Sequence, residues 1–450
     1  MLLNQHIFDV ISFLKKMYLM FKQKKNLFVL VFIIMIDFIG FTLIFPLVPD
    51  LLLYYLNHPI YKSDEVIIHF FLLIDRTFKQ LIPFSNNLNG DVVLIVGGII
   101  SSIFSVLQFI FSPYWGKLSD LYGRKKILIY TNIGLGLSYL FWLFSKSFSM
   151  FLISRIIGGI MSGNLGVASA AMADMSNKEN RTAYMGLVGM AFGLGFVIGP
   201  VFGGLLYYIG NEYLRDLLQN SFFHPFSICA LGSFSLSLIS ILFNFFFLEE
   251  THQPSQKTTR ERISIMQINQ LNTPVKLGIL LNLVYMLIFT SYEFTFTFFY
   301  KFTFNLTPKE IGFIFLYLGL LIALGQGSLS RMLSGKISEK TMMQLGIVSI
   351  STTFLLQPIL KQNIFFSLLT LIPLALGNSL FQPAVNGYTS LHSKKEEQGY
   401  VLGLMRSLGS LSRAIGPFVG GSLYWMFGIQ ISYLIFIFIL LIALYLTFRL

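Results

Sequence analysis

The sequence predicts an all-α membrane protein of twelve transmembrane helices arranged as two six-helix bundles. Three observations carry that expectation. Of 450 residues, 55% are hydrophobic and only 12% charged, with a mean hydropathy of +0.71. A soluble domain of ordinary composition carries about 25% charged residues, so a water-covered globule of this size is excluded. Twelve stretches approach the roughly 20 apolar residues needed to cross a hydrocarbon core, and motifs in the first six recur in the second six.

The chain opens with an arm, residues 1–26, in which Ile7, Phe8, Ile11, Leu14 and Tyr18 recur at helical spacing ahead of a lysine cluster. That order is the reverse of a secretory signal and fits a segment lying along the membrane surface. Six spans follow within 27–248, near 27–52, 93–115, 127–145, 149–173, 182–209 and 225–248. A polar-aromatic insertion, 53–92, separates the first two spans. The linker 249–275 is strongly polar and divides the spans six and six. The second half, 276–450, holds spans near 276–300, 310–330, 341–360, 364–390, 398–424 and 427–448.

Lysine and arginine set the orientation of such a chain. With the N-terminus inside, 21 of the 32 basic residues fall on the cytoplasmic side, 8 on the other side and 3 within spans. Both termini and the linker are therefore expected in the cytoplasm. The formal net charge of +12 then reflects membrane orientation, and no nucleic-acid partner is implied. The one cysteine, Cys229, excludes an intrachain disulfide. No metal-ligand cluster, phosphate-binding glycine loop or cofactor motif occurs, so no metal, cofactor or enzymatic chemistry is expected. The expected partners are the bilayer, a small-molecule solute and protons, with the chain acting as a monomer.

The internal repeat is specific. Gly199-Pro200-Val-Phe-Gly203-Gly204 matches Gly416-Pro417-Phe-Val-Gly420-Gly421 at an offset of 217. Gly116-Lys-Leu-Ser-Asp120 matches Gly335-Lys-Ile-Ser-Glu339 at 219, and Gly163-Asn164 pairs with Gly377-Asn378. Ordered matches of this kind mark a carrier whose halves rock about a shared midplane site.

Several of these residues carry a family resemblance. Gly116-Lys-Leu-Ser-Asp120-Leu-Tyr-Gly123-Arg124-Lys-Lys126 resembles the signature loop of the major facilitator superfamily. Arg155-Ile-Ile-Gly-Gly159 resembles its arginine-containing fourth-span motif, and Gly195-Phe-Val-Ile-Gly199-Pro200-Val-Phe-Gly203-Gly204 its antiporter motif. Asp37-Phe-Ile-Gly40 with Pro46 and Pro49 resembles the first span of drug:proton antiporters. Ser105-Val-Leu-Gln-Phe109, Ser154–Gly159 and Arg406-Ser-Leu-Gly409 with Arg413-Ala-Ile-Gly-Pro417 are similar to a tetracycline-transporter-like group of animals. One departure is Leu248-Glu249-Glu250-Thr251, where that group has a proline before the acid. The resemblance implies the major facilitator fold and a proton-exchanging carrier of organic anions or drug-like solutes. A sensor or binding protein that uses the carrier fold without transporting is the alternative.

Charges inside spans are costly and usually face a cavity. Asp37 and Glu293 are the intramembrane acids, and either is a candidate proton carrier. Asp37 could instead form a fixed ion pair with Arg155. Arg413 is a candidate anion-binding group or a salt-bridge partner of Glu293, and Arg406 a gate or packing residue. Asn164, Asn378 and Gln382, with Asn282 and Gln326, could line a polar path or bond between helices. Gly116, Asp120, Gly123 and Arg124 read as a gate in which Asp120 pairs with Arg124 or caps a neighbouring helix. Gly195, Gly199, Gly203 and Gly204 clear one helix face for packing, with Pro200 bending the helix. Phe294, Phe296, Phe298 and Phe299 are expected mostly toward lipid, a few forming an aromatic wall for the solute.

Overall fold

A computed structural model describes residues 25–57, 69, 73, 76, 91–176, 181–215, 223–252, 271–333, 336–394 and 398–449. Nearly all of the expected surface arm, most of the 53–92 insertion and most of the linker lie outside the described residues. Ten helical runs among the described residues are long and apolar enough to cross a bilayer. In the first half these are α1 (Lys25–Tyr55), α2 (Val93–Tyr122), α3 (Arg124–Leu143), α4 (Phe148–Asp174), α5 (Tyr184–Tyr213) and α6 (Ser227–Phe247). In the second half α7 (Thr273–Phe304) is followed by α8 (Pro308–Leu324), which at 17 residues is shorter and continues into a π-helical turn, Gly325–Ser330. Then come α9 (Glu339–Ile359), α10 (Ile364–Leu391) and a last run, Val401–Phe448. That run bends at Gly428, whose φ of 71° and ψ of 171° leave the helical region, and we label its parts α11 (401–427) and α12 (429–448).

Local sequence accounts for the interruptions. Pro46 and Pro49 withdraw amide donors from α1, which passes through a 3-10 turn at Phe45–Leu47. The α4 run is broken between Met161 and Asn164, where Gly163 lies against the Trp115 ring. The turn after α2 comes later than expected. Residues 116–122 remain helical and the chain reverses only at Gly123, whose φ of 97° favours glycine.

Each half has its own core. In the first, Trp142, Phe148, Phe151, Tyr55 and Phe226 are fully buried; in the second, Tyr292, Phe296, Phe299, Tyr300 and Tyr433 are. The expectation that Phe294, Phe296, Phe298 and Phe299 face lipid is corrected here, since none exceeds 8% exposure. Phe296 and Phe299 pack in the second-half core. Phe294 and Phe298 reach across into the cluster around Leu51, Leu52 and Val96. Successive phenylalanines on α7 meet protein on several sides because this helix touches both halves.

Lipid offers helices little hydrophobic reason to associate, so close backbone approach carries much of the packing. The repeated glycine-proline motif provides it twice, in the same way. On α5, a Cβ at Gly199 or Gly203 would collide with α1 at Thr42 and Leu43, and Thr42 Oγ1 donates to the Gly195 carbonyl at 3.0 Å. On α11, Gly416 and Gly420 lie against Thr290 and Ser291 of α7, and Thr290 Oγ1 donates to the Ser412 carbonyl at 3.1 Å. Positions 195 and 412 differ by the repeat offset.

The remaining members of each motif contact the opposite half. A Cβ at Gly204 would lie 2.6 Å from the Pro308 oxygen of α8, and one at Gly312 of α8 would lie 2.7 Å from the Pro200 oxygen. On the other flank, a Cβ at Gly421 would lie 2.8 Å from the Leu94 oxygen of α2 and one at Gly98 would lie 2.6 Å from the Pro417 oxygen. These contacts lie in the half of the molecule away from Lys25 and Arg449. Toward the terminal end, Gly186, Gly189 and Gly193 of α5 and Gly403 of α11 have nothing within 4 Å of a Cβ. The bundles are thus joined at the far end and stand clear of each other near the termini.

The segment between α5 and α6 is pinned by His224. Its Nε2–H donates to the Trp142 carbonyl (2.9 Å) while Nδ1 accepts from the Phe226 amide (3.3 Å). The Phe226 bond requires the neutral ring, because Nδ1 must keep its lone pair, and burial pushes the imidazole down to about 4. The unfolded chain therefore binds one more proton than the folded chain between about pH 4 and 6.5. Folding stability from this site is full above about pH 6.5 and is lost as pH falls toward 4, a change of about 3 kcal/mol. Thermal unfolding in detergent across pH 4–7 is expected to show this slope, and His224→Gln to flatten it.

Candidate functional site

A cavity of about 940 Å³, counting space open to solvent, lies between the bundles and is lined from α1, α2, α4, α7 and α11. Its walls are aromatic and aliphatic, including Phe41, Phe45, Phe104, Phe294 and Phe298. Three charged side chains reach it: Arg155 from the first half, and Glu293 and Arg413 from the second. Three of the five intramembrane charges singled out in the sequence thus converge on one space.

Arg155 does not pair with Asp37. Its guanidinium sits over the Trp142 ring at 5.1 Å, Phe151 at 5.4 Å and Tyr139 at 6.0 Å. Nε reaches Ser154 Oγ at 3.4 Å, while Nη2 is buried without a hydrogen-bond partner. Ring faces stabilise a cation without neutralising it, so Arg155 presents a full positive charge and an unused donor at the cavity wall.

Asp37 is held elsewhere. Asn164 Nδ2 donates to its Oδ2 at 2.5 Å, and Asn132 and Ser240 complete a polar set from α3 and α6. Among the described residues no basic nitrogen lies within 4.0 Å of it. The alternative of a fixed Asp37–Arg155 ion pair is therefore not formed; Tyr139 stands within electrostatic reach of both. Asp37 bonds within its own bundle and does not line the cavity.

Glu293 and Arg413 sense each other electrostatically but lie beyond the 4.0 Å of an ion pair. Arg413 Nη2 instead donates to Ser410 Oγ at 2.9 Å, one turn away on α11. The anticipated Glu293–Arg413 salt bridge is not formed in this conformation. The candidate polar residues bond between helices: Gln326 to Asn378 at 3.5 Å and Gln382 to Asn282 at 3.2 Å, with Asn282 donating to the Met405 carbonyl at 3.4 Å. Asn378 and Gln382 do not line the central cavity. The Arg406 side chain lies outside the described residues.

The signature segment forms a compact ionic cluster at the terminal end. Arg124 is almost fully buried, with Nη2 at 2.6 Å from Asp120, Nε at 2.8 Å from Asp174 and Nη1 at 2.5 Å from Ser119 Oγ. Glu250, beyond α6, accepts from the Arg124 and Lys125 amides at 2.8 and 3.2 Å and so caps α3. Glycine is favoured at 123 by its φ of 97°, and a Cβ there would also press on the Glu250 carboxylate. Gly116 faces open space. The expected Asp120–Arg124 pair exists, but every side-chain partner of Arg124 lies on α2 or α4 of the first bundle. In this conformation it ties α2, α3 and α4 together and spans no gap between halves. Sequence reasoning missed Asp174 and Glu250; the acidic pair after span six was the available signal.

Arg124→Gln removes the charged donor that faces Asp174, a side chain 8% exposed that also has His252 Nδ1 at 3.5 Å, and is expected to lower unfolding stability by about 3 kcal/mol. Asp120 is 35% exposed, so Asp120→Asn is expected to cost under about 1 kcal/mol while slowing turnover. Unchanged turnover in Asp120→Asn excludes a gating role.

Comparison with known proteins agrees with this architecture. The sequence profile of the Major Facilitator Superfamily matches residues 30–360 and 303–450. "Major facilitator superfamily domain-containing protein 10" of Bos taurus is 30% identical over 433 residues, covering 89% of this chain and 87% of the relative. "Tetracycline resistance protein, class B" of Escherichia coli is 27% identical over 397 residues, covering 87% and 86%. The crystal structure of the human organic anion transporter MFSD10 (TETRAN) superposes with a TM-score of 0.69 at 26% identity, covering 94% of this chain and 99% of that one. A bacterial Spinster homologue shares the fold at 13% identity and a TM-score of 0.65. This chain belongs to the Major Facilitator Superfamily and is a multi-pass membrane transporter, not an enzyme.

Proposed function

We propose that the chain carries a small amphipathic organic anion in exchange for protons, binding it in the central cavity between the two bundles. The observation that carries this reading is the cavity's composition. Apolar rings surround Arg155 and Arg413, contributed by opposite halves, and one carboxylate, Glu293. The rings suit a hydrophobic body, and the forked donors of arginine suit a carboxylate or sulfonate. The human relative is itself described as an organic anion transporter. Glu293 is the better candidate for the proton: it lines the cavity, whereas Asp37 is engaged by Asn164 in the first bundle. A protonated Glu293 leaves Arg413 to the anion, and an ionised one competes for it.

In this reading 27–248 and 276–450 are the rocking units, joined by the linker 249–275. Both termini are cytoplasmic and the working unit is a monomer. The conformation described, joined at the far end, is then the one facing the cytoplasm. Asp120 gates the opposite state.

Proteoliposomes holding purified protein and a labelled aromatic carboxylate test the proposal. Glu293→Gln is expected to lose accumulation driven by a pH gradient while retaining exchange of internal for external solute. Arg155→Gln is expected to raise the half-saturation concentration roughly 10- to 100-fold for the anion and to leave a neutral ester analogue unaffected. Glu293→Gln that still accumulates solute against a gradient contradicts the assignment.

A further inference from the structure

The short connection between α7 and α8 carries two lysines, and both reach into the other bundle. Lys301, in the last turn of α7, places Nζ at 2.5 Å from Asp50 Oδ1 of α1, with both side chains largely buried at 14% and 16% exposure. Lys309, in the first turn of α8, places Nζ at 3.5 Å from the centre of the Tyr208 ring on α5. The residues between are held stiffly. Asn305 closes α7 in the left-handed conformation, with φ of 53°. Thr307 and Glu310 form a reciprocal capping box that starts α8, with the Thr307 amide donating to Glu310 at 2.8 Å. The two lysines therefore flank one short turn and reach α1 and α5, next to the approach of Gly204 to Pro308 and Lys309.

Asp50–Lys301 is the cross-bundle ion pair among the described residues; the others join groups on one side of the division. Its position matters more than its strength. Rocking the bundles apart at this end must break it and lift Lys309 from the ring, exposing Asp50 and Lys301 to water. A partly buried ion pair resists separation until both charges can be hydrated, and a cation over a ring adds a second, shorter-ranged hold.

We propose that the α7–α8 turn is a clasp in which Lys301 and Lys309 hold the far end of the transporter closed, and that these two contacts set the balance between its two conformations. The clasp rests on the alternating-access reading of the central cavity but is independent of the solute and of proton coupling.

The test is a distance measurement in the full-length protein. Spin labels at Lys146 and Gln362, exposed positions on far-end connections of opposite bundles, report separation there, and the native Cys229 is buried. Lys301→Met and Asp50→Asn are each expected to raise the ratio of long to short distances about five- to thirtyfold. Tyr208→Leu is expected to act in the same direction more weakly. The charge-reversed pair Asp50→Lys with Lys301→Asp is expected to return the distribution toward the wild-type one, which a variant that merely misfolds does not do. Distances unchanged in Lys301→Met, in protein whose wild type transports solute, overturn the clasp. Shifted distances in a protein with no flux sustain the clasp and overturn the carrier reading instead.

Discussion

The architecture depends on backbone-to-backbone contact between two half-molecules that water does not push together. Four glycines, Gly98, Gly204, Gly312 and Gly421, bring α2 against α11 and α5 against α8 at distances no side chain permits. Their partners are carbonyl oxygens of Pro417, Pro308, Pro200 and Leu94. In hydrocarbon such closeness is what makes helices associate. Because the contacts cluster at one end, the same packing that joins the halves leaves a wedge between them. The cavity is the inner part of that wedge.

Charge is sorted around this wedge according to what can move. Charged groups within one bundle have close partners: Arg124 with Asp120 and Asp174, Asp37 with Asn164. Groups facing the cavity are not. Arg155 keeps an unused buried donor, and Glu293 and Arg413 stay beyond pairing distance. Rigid bodies need satisfied interiors, whereas a binding surface needs capacity left for a ligand. The contrast between Asp37 and Glu293 follows. Both are acids in first helices of a half, but only the second has its carboxylate at the moving boundary.

Much of this was legible in the sequence, and the illegible part has a common cause. Hydropathy located the helices because a bilayer crossing requires contiguous apolar residues. The repeat at an offset of 217 identified Gly199–Gly204 and Gly416–Gly421 as equivalent, which the structure bears out down to the Thr42 and Thr290 hydrogen bonds. Arg155, Glu293 and Arg413 stood out by their cost in a membrane. Pairing was the difficulty. Charge alone leaves an Asp37–Arg155 pair open as an alternative, yet the arginine sits on the ring face of Trp142 and does not reach the carboxylate. Phe294 and Phe298 are the few that form an aromatic wall of the cavity, whereas Phe296 and Phe299 pack in the core; composition does not distinguish lipid from a helix facing two bundles. The turn at Gly123 came later than hydropathy suggested, since α2 continues in polar sequence with Arg124 and Glu250 organising the next helix start. The Asp50–Lys301 pair carries no signal in the sequence because the proximity of its members exists only once the halves are assembled.

If the wedge must reverse for solute to cross, fastening its closed end must stop transport without disturbing the cavity. The Phe418 amide donates to Ser102 Oγ across the bundle boundary at 3.1 Å, which sets these two residues of α2 and α11 side by side as sites for a cysteine cross-link. The most direct measurement is solute flux in proteoliposomes containing Ser102→Cys and Phe418→Cys, before and after oxidation. Flux that disappears on oxidation and returns on reduction is the predicted result. Undiminished flux with the cross-link fully formed contradicts the account.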